Sequence, residues 1–172
     1  MGVQTHSKMP EPWLRGTHTD LPIIVRAVTH ALELADEEVD RWCSGLSNEQ
    51  MQLRPLGLEP ISFQILHMAG SVDRLLTYAE GQTLSVAQRE SLTSELHNAA
   101  NREQILAAWK SVFVEAVQRL LRVSDFDVSR SVGSKRLPST VGSLLIHIAD
   151  HTQRHVGQMI ATAKVLRNST AW

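Results

Sequence analysis

The sequence predicts an all-α protein: an antiparallel four-helix bundle with two short connecting helices. Three observations carry this expectation. Four long segments repeat apolar residues at helical spacing, and Ser or Asn followed three residues later by Gln marks several helix starts. No window shows sustained apolar/polar alternation with β-branched enrichment, which leaves little room for a sheet. With 172 residues the chain is long enough to bury one core without disulfides or metal staples, so a bound metal would serve function rather than folding.

The expected organisation is a lead-in over 1–19, the bundle over 20–168 and a short tail over 169–172. The lead-in is rich in Pro, Gly and polar residues, and no helix is expected there. Asp20 as N-cap, with Pro22 in the first turn, opens the first long helix. Its apolar face is Ile24, Val28, Leu32, Ala35, Val39 and Trp42, and it ends near Gly45. Ser47 with Gln50 forms a capping box for a short helix, and the stretch from Pro55 to Pro60 then breaks the chain. The second long helix runs from about Ile61 to Glu80, apolar nearly all round in its first half, with Gly81 as its stop.

Ser85 with Gln88 starts a short connecting helix toward Leu96, and Asn101 with Gln104 starts the third long helix. The latter carries the cleanest stripe in the chain: Ile105, Leu106, Trp109, Val112, Phe113, Ala116, Val117, Leu120 and Leu121. From Asp125 to Pro138 helical periodicity is missing, which predicts a loop of functional length or a short hairpin. Ser139 is the expected cap of the fourth long helix, which reaches about Arg167 and turns Val141, Leu144, Leu145, Ile148, Met159 and Leu166 to the core. The connections are too long to settle helix order around the bundle.

Formal charge is -1, which removes the electrostatic reason to expect nucleic acid or an anionic membrane surface. No apolar run approaches the roughly 18 residues of a membrane span. The N-terminus lacks a signal-peptide apolar stretch, and His6 occupies the position where a myristoylation signal needs Ser or Thr. Cys43 is the only cysteine, so no internal disulfide forms. These features together predict a cytoplasmic protein with neither nucleic acid nor membrane as partner. Cys43 itself reads as a small buried hydrophobe, and the acidic run Asp36, Glu37, Glu38 as a solvated face.

The fourth helix contains His147, His151 and His155, four residues apart and therefore stacked along one side. At about 100° per residue, with His147 at zero, Val141, Leu144, Ile148, Met159 and Leu166 fall between about 60° and 120°, His155 near 80° and His151 near 40°. His151 and His155 face inward, whereas His147 sits at the rim. An isolated His67 lies in the second helix, roughly opposite that helix's main aliphatic stripe but beside Phe63, Gly70 and Tyr78. Gly70 permits close approach of a neighbour. Imidazoles from facing helices of a bundle can converge on one cation, and three protein nitrogens leave a position for water or substrate. Such histidines need acceptors to orient them, for which Asp150, Asp73 and Gln158 are candidates by sequence proximity. Imidazole suits zinc, nickel, copper and iron; zinc or nickel is the expected occupant. His6, His18, His30 and His97 have no partners at ligand spacing and stay outside the site.

The segment LLIHIADHTQRHVGQMI, preceded by LPSTVGS and paired with FQILHMAGSVDRLLTYAEG, resembles the DinB-like (DinB/YfiT) superfamily of four-helix bundle proteins. The resemblance covers most of the chain from EPWLRGTH onward. It implies a divalent metal held by one histidine of the second helix and two of the last, which are His67, His151 and His155 here. It departs at Val156, where many relatives carry Arg. It also implies, as one activity among several, a metal-dependent thiol transferase or isomerase using a low-molecular-weight thiol, acting on an unidentified small-molecule substrate, and it implies a homodimer. The alternative is a metal- or ligand-binding stress protein without turnover. No nucleophile or general base can be named; Tyr78 and Arg74 read as helix-surface packing.

Overall fold

The computed structural model describes residues 9–97 and 99–169. Helices dominate it: α1 (Ile23–Cys43), α2 (Asn48–Gln52), α3 (Ile61–Ala79), α4 (Val86–Ser94), α5 (Arg102–Leu120) and α6 (Val141–Ser169), with a hairpin of β1 (Ser129–Val132) and β2 (Leu137–Thr140) before α6. Among the described residues no helix is long and apolar enough to cross a membrane.

Local chemistry explains most of the boundaries. Ser47, Ser85 and Asn101 each accept a hydrogen bond from the backbone N–H of the glutamine three residues on, and that glutamine's amide oxygen accepts from the cap's own N–H. Each box satisfies two donors that a helix start otherwise strands. Gly81, at φ +78°, ends α3 in the left-handed conformation that glycine adopts without steric cost.

Several expectations shift. The first helix begins at Ile23, with Pro22 in the cap position and Asp20 outside it. A single 3-10 turn, Pro12–Leu14, lies in the lead-in where no helix was expected. The cap of α6 is Thr140, whose Oγ1 accepts from Ser143 N at 3.2 Å; Ser139 is instead paired with Arg130 across the hairpin. Leu121, expected on the core face, caps α5 and is exposed. The all-α expectation holds apart from the hairpin, one of the two forms the sequence allows for 125–138. His6 and the other residues of 1–8, and residues 170–172 of the tail, lie outside the described residues.

The four long helices pack in a cycle, α1 on α6, α6 on α3, α3 on α5 and α5 on α1. They enclose one core that includes Val28, Leu32, Ile65, Met68, Trp109, Leu145, Ile148 and Met159. Bonds between helices give their directions. Gln153 reaches Ala31 O and Arg167 reaches Trp42 O, so α1 and α6 run the same way. Arg119, near the end of α5, binds Asp73 and Glu80 in the second half of α3 and just beyond it, so these two are also parallel. Against α6, α3 is antiparallel: His155 meets Gln64, and Thr162 meets Glu59. Likewise α5 is antiparallel to α1, since Trp109 reaches Asp36 and Arg102 reaches Cys43 O. The expectation of antiparallel neighbours is thus corrected for two of the four pairs.

Parallel neighbours have a consequence for the chain between them. The nineteen residues of α3 rise about 28 Å at 1.5 Å per residue, so the link to α5 must travel back along the helices. That return segment contains α4 and the 3-10 turn Glu95–His97, and it brings Glu95 alongside the middle of α3.

The acidic run on α1 is also corrected from a solvated face to a set of ties. Asp36 accepts from Trp109 and Lys110 of α5, Glu37 forms a two-pronged ion pair with Arg15 of the lead-in, and Glu38 accepts from Trp42 Nε1.

Candidate metal centre

The antiparallel contact between α3 and α6 brings His67, His151 and His155 together. Their ring centroids lie 4.5 Å (His151–His155), 4.6 Å (His67–His155) and 5.0 Å (His67–His151) apart. One potential ligand atom from each lies within 4.8 Å of the others, so the three form a group able to hold a metal ion. Two come from successive turns of α6, as the four-residue spacing dictates. The third comes from the minor face of α3, beside Phe63, whose ring stacks on His67 at 5.3 Å.

Two of the rings are held by acceptors. His67 Nδ1 is 2.7 Å from Glu95 Oε2, and His155 Nδ1 is 2.6 Å from Gln64 Oε1. Neither a carboxylate nor an amide oxygen donates, so each Nδ1 carries a proton, and the neutral form of each ring presents its lone pair at Nε2. Among the described residues, buried His151 Nδ1 has no hydrogen-bond partner. A stranded polar atom of this kind costs about 1–3 kcal/mol in a folded protein. Two oriented Nε2 lone pairs beside a buried imidazole nitrogen with no protein partner make a donor set that suits a divalent cation of the zinc type.

Electrostatics agree with this donor set. Burial, reinforced by the neighbouring imidazoles of His155, His67 and His147, holds the His151 pKa down at about 4. Burial, and then His67 and Arg154, hold His155 at about 4 as well. Both rings are therefore neutral at pH 7, the form that coordinates metal. The His67 side chain remains 21% exposed, so the group reaches solvent on one side.

Glu95 and Gln64 are the orienting residues that sequence reasoning missed. Glu95 is 4% exposed, and its second oxygen accepts from Arg74 Nη1 at 2.6 Å. Arg74, expected to pack on the helix surface, is instead buried and holds the carboxylate that holds His67. Gly70 makes space for this pair, since a Cβ there would run into the Glu95 carboxylate and the Arg74 guanidinium. Gln64 had a faint signal, one turn before His67. Glu95 had none, because only the return path of the chain brings it to α3.

The three acceptors suggested by proximity lie elsewhere. Asp150 pairs with Arg154, Asp73 binds Arg119 and Gln88, and Gln158 is exposed. His147 is exposed with its ring 5.4 Å from His151, at the rim as its wheel position predicts. Tyr78 packs half-buried against the core, and Val156 is buried. Cys43 is fully buried, and burial pushes its thiol up to about 12, so it acts as a small hydrophobe. His97 is exposed and is not part of the three-histidine group.

A model of the DinB superfamily matches residues 31–159. The chain belongs to the DinB superfamily. The matched region contains all three clustered histidines together with Gln64 and Glu95. No curated protein and no solved structure gives a significant match to this superfamily member.

Proposed function

We propose that the protein binds a divalent cation, zinc or nickel, through His67, His151 and His155 and works as a metal-dependent enzyme of the thiol-transferase type. The observation that carries the reading is the convergence of three imidazoles with two Nδ1 protons already engaged by Glu95 and Gln64. A cation on three protein nitrogens supplies Lewis acidity that lowers the pKa of a thiol or water in the remaining position. The chain's own residues do the positioning. Glu95 and Gln64 fix the tautomers of His67 and His155, and Arg74 anchors Glu95. Phe63 covers one face of His67, and solvent reaches the group beside that ring.

The scaffold in this reading is a four-helix bundle over 20–168, preceded by a lead-in over 1–19 and followed by a tail over 169–172. The cyclic packing of α1, α6, α3 and α5 supports it. The reading extends to a cytoplasmic homodimer that binds a low-molecular-weight thiol and a small electrophile, with no nucleic-acid partner; a near-neutral charge supports the last point.

Metal-loaded protein incubated with several low-molecular-weight thiols and a panel of electrophiles should turn over at least one pair, and the His151→Ala variant should not. Full metal occupancy with no turnover above that control would assign a non-catalytic metal-binding role instead.

A further inference from the structure

Away from the three-histidine group, the lead-in folds back on α1 and brings a second set of ligand-type side chains together. His30 and Glu33 stand one turn apart on α1, and His18 comes from the lead-in turn. One potential ligand atom from each lies within 4.8 Å of the others. His18 Nε2 is 2.7 Å from Glu33 Oε1, and His30 Nε2 is 3.1 Å from Thr17 Oγ1. His30 is 8% exposed, so an imidazole is committed to this spot at the cost of burial.

The backbone is bent to make the arrangement. His18 adopts φ +57°, a conformation uncommon outside glycine, which surrounding structure must sustain. Arg15 supplies part of that support through its two-pronged pair with Glu37 and its bond to Pro10 O at 2.7 Å. A cavity of about 270 Å³, lined in part by Thr17, Arg26 and His30, opens on the His30 side of the group.

We propose that His18, His30 and Glu33 form a second divalent-cation site, distinct from the three-histidine group, in which a bound ion pins the lead-in to α1. Two imidazoles and one carboxylate are a donor set used by zinc and by non-haem iron. Tetrahedral zinc with ligands at about 2.0–2.1 Å sets its donor atoms about 3.4 Å apart, so His18 Nε2 and Glu33 Oε1, now 2.7 Å apart, would give up their hydrogen bond and part by about 0.7 Å, while no donor pair, all within 4.8 Å, would need to close by more than about 1.4 Å.

Equilibrium dialysis of tag-free full-length protein against zinc tests the site. Wild type should bind two equivalents, His151→Ala one, Glu33→Gln one, and the double variant none. Zinc should also slow tryptic cleavage after Arg15 in wild type and in His151→Ala, and fail to do so in Glu33→Gln or His18→Ala. Circular dichroism melting shows that each variant is folded, and the two partly exposed positions, His18 and Glu33, keep the test open if His30→Ala misfolds. Equal zinc uptake by wild type, Glu33→Gln and His18→Ala, or equal protection of Arg15 in all of them, would overturn the proposal. Because the His151→Ala chain retains this site, its loss and the loss of the three-histidine site are read separately.

Discussion

Glu95 offers the sharpest mutational test of how the centre is built. Its two oxygens are divided between His67 Nδ1 at 2.7 Å and Arg74 Nη1 at 2.6 Å, with only 4% of the side chain exposed. Gln has the same length but one accepting oxygen and one donating nitrogen, so it cannot accept from both partners. Losing the acceptor that orients a metal-binding histidine costs about 10–100-fold in affinity, or about 1.4–2.8 kcal/mol at about 1.4 kcal/mol per factor of ten. Truncation is harsher, because Glu95→Ala leaves a buried guanidinium without its anion, a change that costs about 3–5 kcal/mol of stability. Affinity is measured by competition with a chromophoric chelator at neutral pH, in a Glu33→Gln background that leaves the three-histidine group as the site under test. Stability is followed by thermal melting of the apoprotein. Zinc affinity equal to the parent in Glu95→Gln, beside a lowered melting temperature, would show that Glu95 serves folding alone and refute its role in aiming His67.

Three other outcomes follow from the same geometry. Gly70→Ala should weaken zinc binding in the same competition assay, because its methyl displaces Glu95 and Arg74; unchanged affinity would contradict the space argument. The apoprotein should lose stability as pH falls from about 6.5 to about 4: unfolded histidine titrates near 6.5, His151 and His155 near 4 when folded, so the unfolded chain binds more protons across that window and is favoured there. A urea midpoint that stays flat across this range, or shifts equally in a variant with both histidines replaced by Gln, would count against the burial of those rings. Cys43 should resist alkylation in the native protein at mildly alkaline pH and react in denaturant, since its thiol is held at about 12; rapid labelling of folded protein would contradict that environment.

What could be read from the sequence was what depends on neighbours along the chain. The three capping boxes at Ser47, Ser85 and Asn101 are local reciprocal bonds, and all three form. The inward facing of His151 and His155 and the rim position of His147 follow from helical periodicity alone. Contacts set by the path of the chain were not legible. Helix direction depends on how long links cross the fold, so the parallel pairing of α3 with α5 was missed, and with it the delivery of Glu95 to His67. The choice between Ser139 and Thr140 as cap turned on a strand register that four residues of β2 establish only by pairing with β1. His18 and His30 are twelve positions apart without helical phase between them, and a left-handed turn at His18 is what joins them.

The zinc content of tag-free protein carrying Glu33→Gln, with and without His151→Ala, after dialysis to equilibrium tests the three-histidine centre most directly. One equivalent in the first and none in the second is the expected result. Equal zinc in the two would mean that the imidazoles of α3 and α6 do not hold the ion, and the function built on them would fall.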